Sequence, residues 1–173
     1  MNNLDPADMA RIIARIVELD QILKPLKMRN PDRRKIMPHP PATPANLQNL
    51  DRSVKVRLPP SYLQLLSIHD GIDNFYWTDN PLRSSSYIIN TPSYQDHYEI
   101  PDQFLFITGS DWISVGFDKQ TQKTDGEMEV VENDKSGEAT RWPSLPSFLM
   151  GYCERLEEWV RDAHADRAKV EDA

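Results

Sequence analysis

The sequence has 173 residues and a mass of 20.0 kDa, enough for one domain with its own hydrophobic core. Hydrophobic residues make up 39% and charged residues 27%, a composition typical of globular rather than disordered proteins. The net charge is −7 and the single cysteine is Cys153, which excludes an internal disulfide framework and a zinc site built from several thiolates.

The charge is unevenly distributed along the chain. Residues 1–50 hold eight lysines and arginines against five acids, whereas residues 51–173 hold 12 against 22. The acidic part disfavours binding to nucleic acid or anionic lipid and favours a basic protein partner. The N-terminal segment lacks the order of a secretory signal, and no stretch approaches the ~18 apolar residues of a membrane helix. We therefore expect a cytoplasmic protein.

An amphipathic helix is predicted within residues 1–30. Asp5 can accept free amide hydrogens as N-cap, Pro6 suits the first helical position, and Pro25 closes the run. Its apolar stripe consists of Met9, Ile12, Ile13, Ile16, Leu19 and Leu23. This stripe needs a surface to cover, on its own domain or on another chain, and we favour its own domain.

A proline-rich strap is predicted over residues 31–49. Its prolines leave too few amide donors for helix or sheet, so we expect extended chain lying over the surface. A basic run precedes and overlaps it, at Lys27, Arg29, Arg33, Arg34 and Lys35. We interpret that run as solvated linker rather than a nucleic-acid site, because it has no aromatic stacking residues.

A short helix is predicted from Pro60, with Tyr62, Leu65, Leu66 and His69 on one face and Gly71 as a left-handed stop. His69, beside Asp70, is expected to stabilise the negative end of this helix. An aromatic loop follows at residues 74–77. Three adjacent aromatics in a loop indicate either inward packing or contact with a partner, and the pattern leaves both readings open.

The C-terminal half predicts a largely antiparallel sheet and a last helix. Strands are expected over residues 86–90, 103–109, 111–118 and 127–132, with turns at 123–126 and 133–137. The helix has Ser144 or Ser147 as its N-cap candidate and the stripe Phe148, Tyr152, Leu156, Trp159 and Val160. Residues 50–163 are thus one α+β domain, and residues 164–173 are a frayed tail.

No catalytic or metal-binding motif is present in the sequence. His97 and Glu99 could supply two metal ligands, but no third is identifiable, and Cys153 is interpreted as a small core residue. Eight acids along the strands do not fit an EF-hand and are interpreted as a solvated or partner-facing surface: Asp111, Asp118, Asp125, Glu127, Glu129, Glu132, Asp134 and Glu138. We expect no enzyme activity, no cofactor and no metal.

One segment carries a family resemblance. Leu58-Pro59-Pro60-Ser61-Tyr62-Leu63-Gln64-Leu65-Leu66 followed by His69-Asp70-Gly71 resembles the LPxxYxxxLxxxNG signature of the SUKH superfamily. The segments 104–109 and 111–118 look like the central strands of that family, and Ser147-Phe148-Leu149 resembles the start of its last helix. The resemblance covers residues 50–160. Asp70 stands where the family usually has asparagine, and the helix before the strap looks like an addition.

The resemblance implies an α+β domain with a central, mostly antiparallel sheet flanked by helices, acting by binding. Bacterial members are immunity proteins that mask a cognate toxin, often a nuclease or deaminase; the alternative is a regulatory scaffold, as in the fungal cell-wall-synthesis regulators. A small-ligand module and a hydrolase rank behind these, and the oligomeric state stays open. The hypothesised toxin-binding surface comprises Asp70, Asp73, Phe75, Tyr76, Trp77, Asp111, Asp118, Glu127 and Glu129.

Overall fold

The computed structural model describes residues 6–23, 35–54, 56–76, 80–90, 104–109, 113–134 and 139–171. The helices in these ranges are α1 (Pro6–Leu23), α2 (Pro44–Ser53), α3 (Pro60–Ile68), α4 (Ser85–Asn90) and α5 (Leu145–Glu171), with a 3₁₀ turn at Lys119–Thr121. The strands are β1 (Met37–Pro38), β2 (Ile72–Tyr76), β3 (Asn80–Leu82), β4 (Phe104–Gly109), β5 (Ile113–Asp118), β6 (Val130–Asp134) and β7 (Ala139–Trp142).

The strands form two antiparallel sheets, in the orders β1-β2-β3 and β4-β5-β6-β7. The α+β class and the antiparallel pairing are therefore confirmed. The strands do not form one central sheet, however. The two sheets meet where the Arg83 N–H, just after β3, donates to the Ile107 carbonyl at 3.0 Å.

The core is built between the two terminal helices and the sheets. The stripe of α1 is buried at Met9, Ile13, Ile16 and Leu19, and α1 packs against α5 and α3. An ion pair of Arg15 and Glu157 at 3.0 Å adds to the contact between α1 and α5. The apolar face of α1 is thus covered within this chain. The predicted cap at Asp5, the stop at Pro25 and most of the basic run lie outside the described residues.

The strap contains regular structure where the sequence predicts none. Met37 and Pro38 pair with β2, and Pro44 is the first residue of α2, which crosses the predicted boundary at residue 49. Thr43 caps this helix, since its Oγ1 accepts the Asn46 N–H at 3.1 Å. The prediction is wrong because proline keeps its carbonyl acceptor, and because the first helical position needs no donor.

Residues 86–90, predicted as a strand, belong to helix α4. The side chain of Ser84 accepts the Tyr87 N–H and its carbonyl accepts the Ile88 N–H, both at 3.2 Å. This cap satisfies two amides of the first turn, and it outweighs the strand preference of the β-branched residues there.

Two helix ends also differ from the predictions. Helix α3 ends at Ile68, so His69 is extended and lies outside the helix, although Gly71 has the expected positive φ of 94°. Helix α5 begins directly after Ser144, one of the two predicted caps, whose carbonyl accepts the Phe148 N–H at 3.1 Å. It continues to Glu171 instead of fraying from residue 164, because its alanines, arginine and lysine sustain a helix without an apolar stripe.

Candidate partner-binding surface

Phe75 packs inward and does not belong to a partner-facing loop. It lies in strand β2, it is fully buried, and its ring centroid is 5.3 Å from that of Tyr152. The Tyr152 hydroxyl donates to the Phe75 carbonyl at 2.8 Å and so joins α5 to β2. Of the two readings that the aromatic run left open, inward packing holds for Phe75. The Tyr76 side chain and Trp77 lie outside the described residues.

Glu127 is a buried helix cap. It precedes strand β6, which begins at Val130 and not at Glu127 as predicted. Its two carboxylate oxygens accept the backbone N–H and the hydroxyl of Ser61, each at 2.7 Å. Ser61 is in the first turn of α3, where the N-cap Pro59 offers no side-chain acceptor. The carboxylate therefore caps α3 from 66 residues away, a structural role that the sequence analysis did not predict.

Asp118 and Glu129 share one cation. The Arg141 guanidinium lies 3.0 Å from Asp118 and 2.9 Å from Glu129. The Asp118 side chain is only 4% exposed, and it also accepts the Gln120 N–H at 3.1 Å. These hydrogen bonds, that of Asp118 first, raise the pKa of Arg141 above its ordinary value. The two acids are thus compensated by the sheet's own arginine, which weakens the prediction that they attract a partner. Asp111 and Glu138 lie outside the described residues.

Asp70 and Asp73 lie beside the strap. The Asp70 carboxylate accepts the N–H of Ser85 at 2.6 Å and its hydroxyl at 2.9 Å, which fixes the start of α4. Asp73 is half-exposed, and its Oδ2 is 3.0 Å from Nε2 of His39. This hydrogen bond is the main reason that the pKa of His39 is raised. The His69 N–H donates to the Leu65 carbonyl at 2.8 Å and so caps the end of α3. Its ring, which we predicted to stabilise that helix end, instead contacts the strap, with Nδ1 2.9 Å from the His39 carbonyl.

The outward face of α5 carries acids that the sequence analysis did not single out. We call Met150, Glu154 and Glu158 the α5 outer face. All three are exposed and stand four residues apart on the side opposite to the buried Phe148, Tyr152 and Leu156. Met150 is 46% exposed; among the described residues, Met37 is the other large apolar side chain with such exposure. The helical period of the buried stripe could have located this face, because it fixes the opposite side as well.

Neighbouring groups only partly compensate the charge of the α5 outer face. Arg161 approaches Glu158 at 4.0 Å, the limit of an ion pair, with both side chains largely exposed. Like charges four residues apart on a helix cost roughly 0.2–0.5 kcal/mol. The pair Glu154 and Glu158 is therefore a small cost to α5 itself, unlike the acids around Arg141, which contribute to the fold.

Two candidate chemical groups considered from the sequence are the Cys153 thiol and a metal site. Burial raises the pKa of the Cys153 thiol, which keeps the thiol protonated and a poor nucleophile. Within the described ranges, no group of three or more His, Cys, Asp or Glu side chains could hold a metal ion. His97 and Glu99, the two metal ligands considered from the sequence, lie outside those ranges.

The comparisons with known proteins give no family for the chain: no family model matches it, and no curated protein matches it. Several of the residues that carry the SUKH resemblance belong to the hydrophobic core. Leu58, Tyr62, Leu65 and Leu66 are buried, and the Tyr62 hydroxyl donates to the Arg83 carbonyl at 3.0 Å. That segment therefore stabilises the fold. In the described ranges, no helix is long and apolar enough to span a membrane.

Proposed function

We propose that this protein is a non-enzymatic binding protein, an immunity protein that neutralises a basic bacterial toxin domain of the nuclease or deaminase type by direct contact in the cytoplasm. The observation that carries the proposal is the α5 outer face, an exposed methionine in line with two exposed glutamates. The resemblance of residues 50–160 to the SUKH superfamily supports the same role.

The α5 outer face has the chemistry that a basic partner requires. Glutamates on a fixed helix present negative charge in the manner of successive phosphates, so they can occupy the surface with which a nuclease holds its substrate. Complementary charge accelerates the encounter and makes binding sensitive to salt. Met150 adds a flexible apolar contact, which adapts to the shape of a partner at low cost.

The helix that carries this face is held firmly in the domain. Its inward side is anchored by Leu145, Phe148, Tyr152 and Leu156, which are all fully buried. A surface on a rigid helix loses little conformational entropy on binding, because its backbone is already ordered. The same cannot be said of a surface on a loop, which must be ordered in the complex.

The first test is capture of the partner. Tagged protein is incubated with extracts of the cells in which it occurs, at low and high salt, and bound proteins are identified by mass spectrometry. We expect one basic protein that is lost at high salt and is toxic when it is expressed without this chain. Capture of several cell-wall or signalling proteins would instead support the alternative role, a regulatory scaffold.

The second test places the interface. In the double variant Glu154→Lys/Glu158→Lys, we expect affinity for the captured toxin to fall roughly 10- to 100-fold, mainly through slower association. Asp51→Lys, a charge reversal at an exposed position of α2, is the matched control and should bind as the unmodified protein does. Unchanged affinity of the double variant would exclude the α5 outer face and leave the toxin-binding role intact.

A further inference from the structure

The middle of the strap, residues 37–41, lies between two residues that are buried and hydrogen-bonded to helices. On one side, Ile36 is buried and its N–H donates to the buried Asp20 carboxylate of α1 at 3.2 Å. On the other side, Ala42 is buried and its N–H donates to the Leu66 carbonyl of α3 at 2.9 Å. Residues 37–41 lie between these anchors, with Met37 and Pro38 paired to β2.

The prolines of this span limit its main-chain attachment, which otherwise consists of the pairing of Met37 and Pro38 with β2. Of residues 37–41, three are prolines without an amide hydrogen, which leaves Met37 and His39 as main-chain donors. The His39 N–H donates to the Gly71 carbonyl at 3.0 Å, and the His39 carbonyl is 2.9 Å from Nδ1 of His69. Pro40 contributes one further bond, as its carbonyl accepts the Asp70 N–H at 2.9 Å.

The ring of His39 faces an acceptor at each nitrogen. Nδ1 is 3.2 Å from the Asp70 carbonyl, and Nε2 is 3.0 Å from the Asp73 carboxylate. Neither a carbonyl nor an ionised carboxylate can donate a hydrogen bond, so both contacts require a proton on the ring nitrogen. A neutral imidazole carries one such proton and satisfies one of the two contacts. The arrangement therefore selects the imidazolium form.

We propose that His39 is a proton-dependent latch that closes residues 37–41 onto strand β2 when its ring is doubly protonated and releases them when the ring loses a proton. Release uncovers the edge of β2 and frees Met37, which is 54% exposed already in the closed form. This inference is independent of the proposed immunity role, since it concerns the attachment of the strap alone.

The charges around the ring fix the direction of the effect. Asp73 on β2 and Asp70 in the turn before β2 are negative, and they raise the pKa of His39 above 6.5 against the opposing effect of partial burial. His69, the other titratable group at this place, faces the main-chain carbonyl of His39 and not its ring. Because the pKa is raised on folding, the latch is fully closed below the unfolded value, and its contribution is lost as the pH rises through the folded value.

The test uses proton NMR of the full chain. The ring resonances of His39, assigned by their loss in His39→Gln, give its pKa; exchange of the His39, Asp70 and Ala42 amides, corrected for the intrinsic effect of pH, gives the opening of the strap. We expect a pKa above 6.5. We also expect protection of the His39 and Asp70 amides to fall by up to about tenfold for each unit by which the pKa is raised. The Asp118 amide, bonded to Glu129 in the distant sheet, is the internal control and should keep its protection.

Two variants make the proposal falsifiable even if one of them folds poorly. Asp73→Asn should lower the pKa of His39 and shift the loss of protection to lower pH. His39→Gln should remove the pH dependence of the Asp70 amide while Asp118 stays protected. A pKa of His39 at or below 6.5 in the unmodified protein, or protection of the His39 amide that is the same on both sides of that pKa, would overturn the latch.

Discussion

Two groups of acidic side chains in this molecule differ in whether the protein itself compensates their charge. Around the turn between β5 and β6, Asp118, Glu127 and Glu129 each accept hydrogen bonds or pair with a cation from another part of the chain. On α5, Glu154 and Glu158 are exposed, and Arg161 approaches Glu158 only at 4.0 Å. The first group holds the fold together, and the second costs the fold a little and is open to a partner.

The difference shows that an acid's role depends on the donors it meets and not on its own sequence context. Glu127 and Glu154 are the same residue type, yet one meets the open amide end of α3 and the other meets solvent. A carboxylate that is compensated inside the protein has little charge left to steer a partner, whereas an exposed one acts over about 8 Å at physiological salt.

The largest effect is expected at Glu127. Its replacement in Glu127→Ala removes both hydrogen bonds to Ser61 and leaves a buried amide unsatisfied, so we expect the free energy of unfolding to fall by about 3 kcal/mol. Urea denaturation measures this change. Glu127→Gln keeps one acceptor oxygen and should lose less, about 1–2 kcal/mol. An unfolding midpoint of Glu127→Ala equal to that of the unmodified protein would contradict the cap.

A smaller effect is expected at Arg141. The variant Arg141→Ala leaves the buried Asp118 without its cation and close to Glu129. Because the arginine is half-exposed and its contacts are screened, we expect a loss of only about 1 kcal/mol in urea denaturation. The loss should shrink in 1 M salt, which screens the remaining repulsion. Arg52→Ala, at an exposed position of α2, is the control. An equal loss in both variants would show that Arg141 has no special role in the sheet.

The smallest effect is expected on α5, and it has the opposite sign. Replacement of one glutamate in Glu154→Gln removes the like-charge repulsion with Glu158, so stability should rise by roughly 0.2–0.5 kcal/mol at low salt. The thermal midpoint at two salt concentrations measures this gain, which should vanish at high salt. A loss of stability at both concentrations would mean that Glu154 supports the fold, and the contrast between the two groups of acids would not hold.

Local patterns predicted the elements whose causes are local. The apolar stripe of α1, the proline start of α3 and the alternation of β5 each lie within a short stretch of sequence, and the structure contains all three elements. The strand prediction for residues 86–90 was wrong for a reason that is also local. The cap at Ser84 favours a helix, whereas β-branched Ile88 favours a strand.

The candidate site was less predictable, because its causes are distant in sequence. The pairing of Glu127 with Ser61 spans 66 residues, and that of Phe75 with Tyr152 spans 77. The sequence around Glu127 or Phe75 does not indicate these distant partners, so the sequence analysis placed both residues on the hypothesised toxin-binding surface. The α5 outer face was accessible in principle, since the position of Phe148 and Tyr152 on the inner side determines which residues face outward.

The pairing of α1 with α5 also has a consequence for synthesis of the chain. The ion pair of Arg15 and Glu157 joins positions 142 residues apart, and the apolar stripe of α1 is covered largely by residues of α5. At a translation rate of 5–20 residues per second, about 7 to 28 s separate the emergence of the two helices from the ribosome. Throughout that interval α1 can pack against α3 but lacks the native contacts that α5 provides. The core is therefore completed only after α5 has been made.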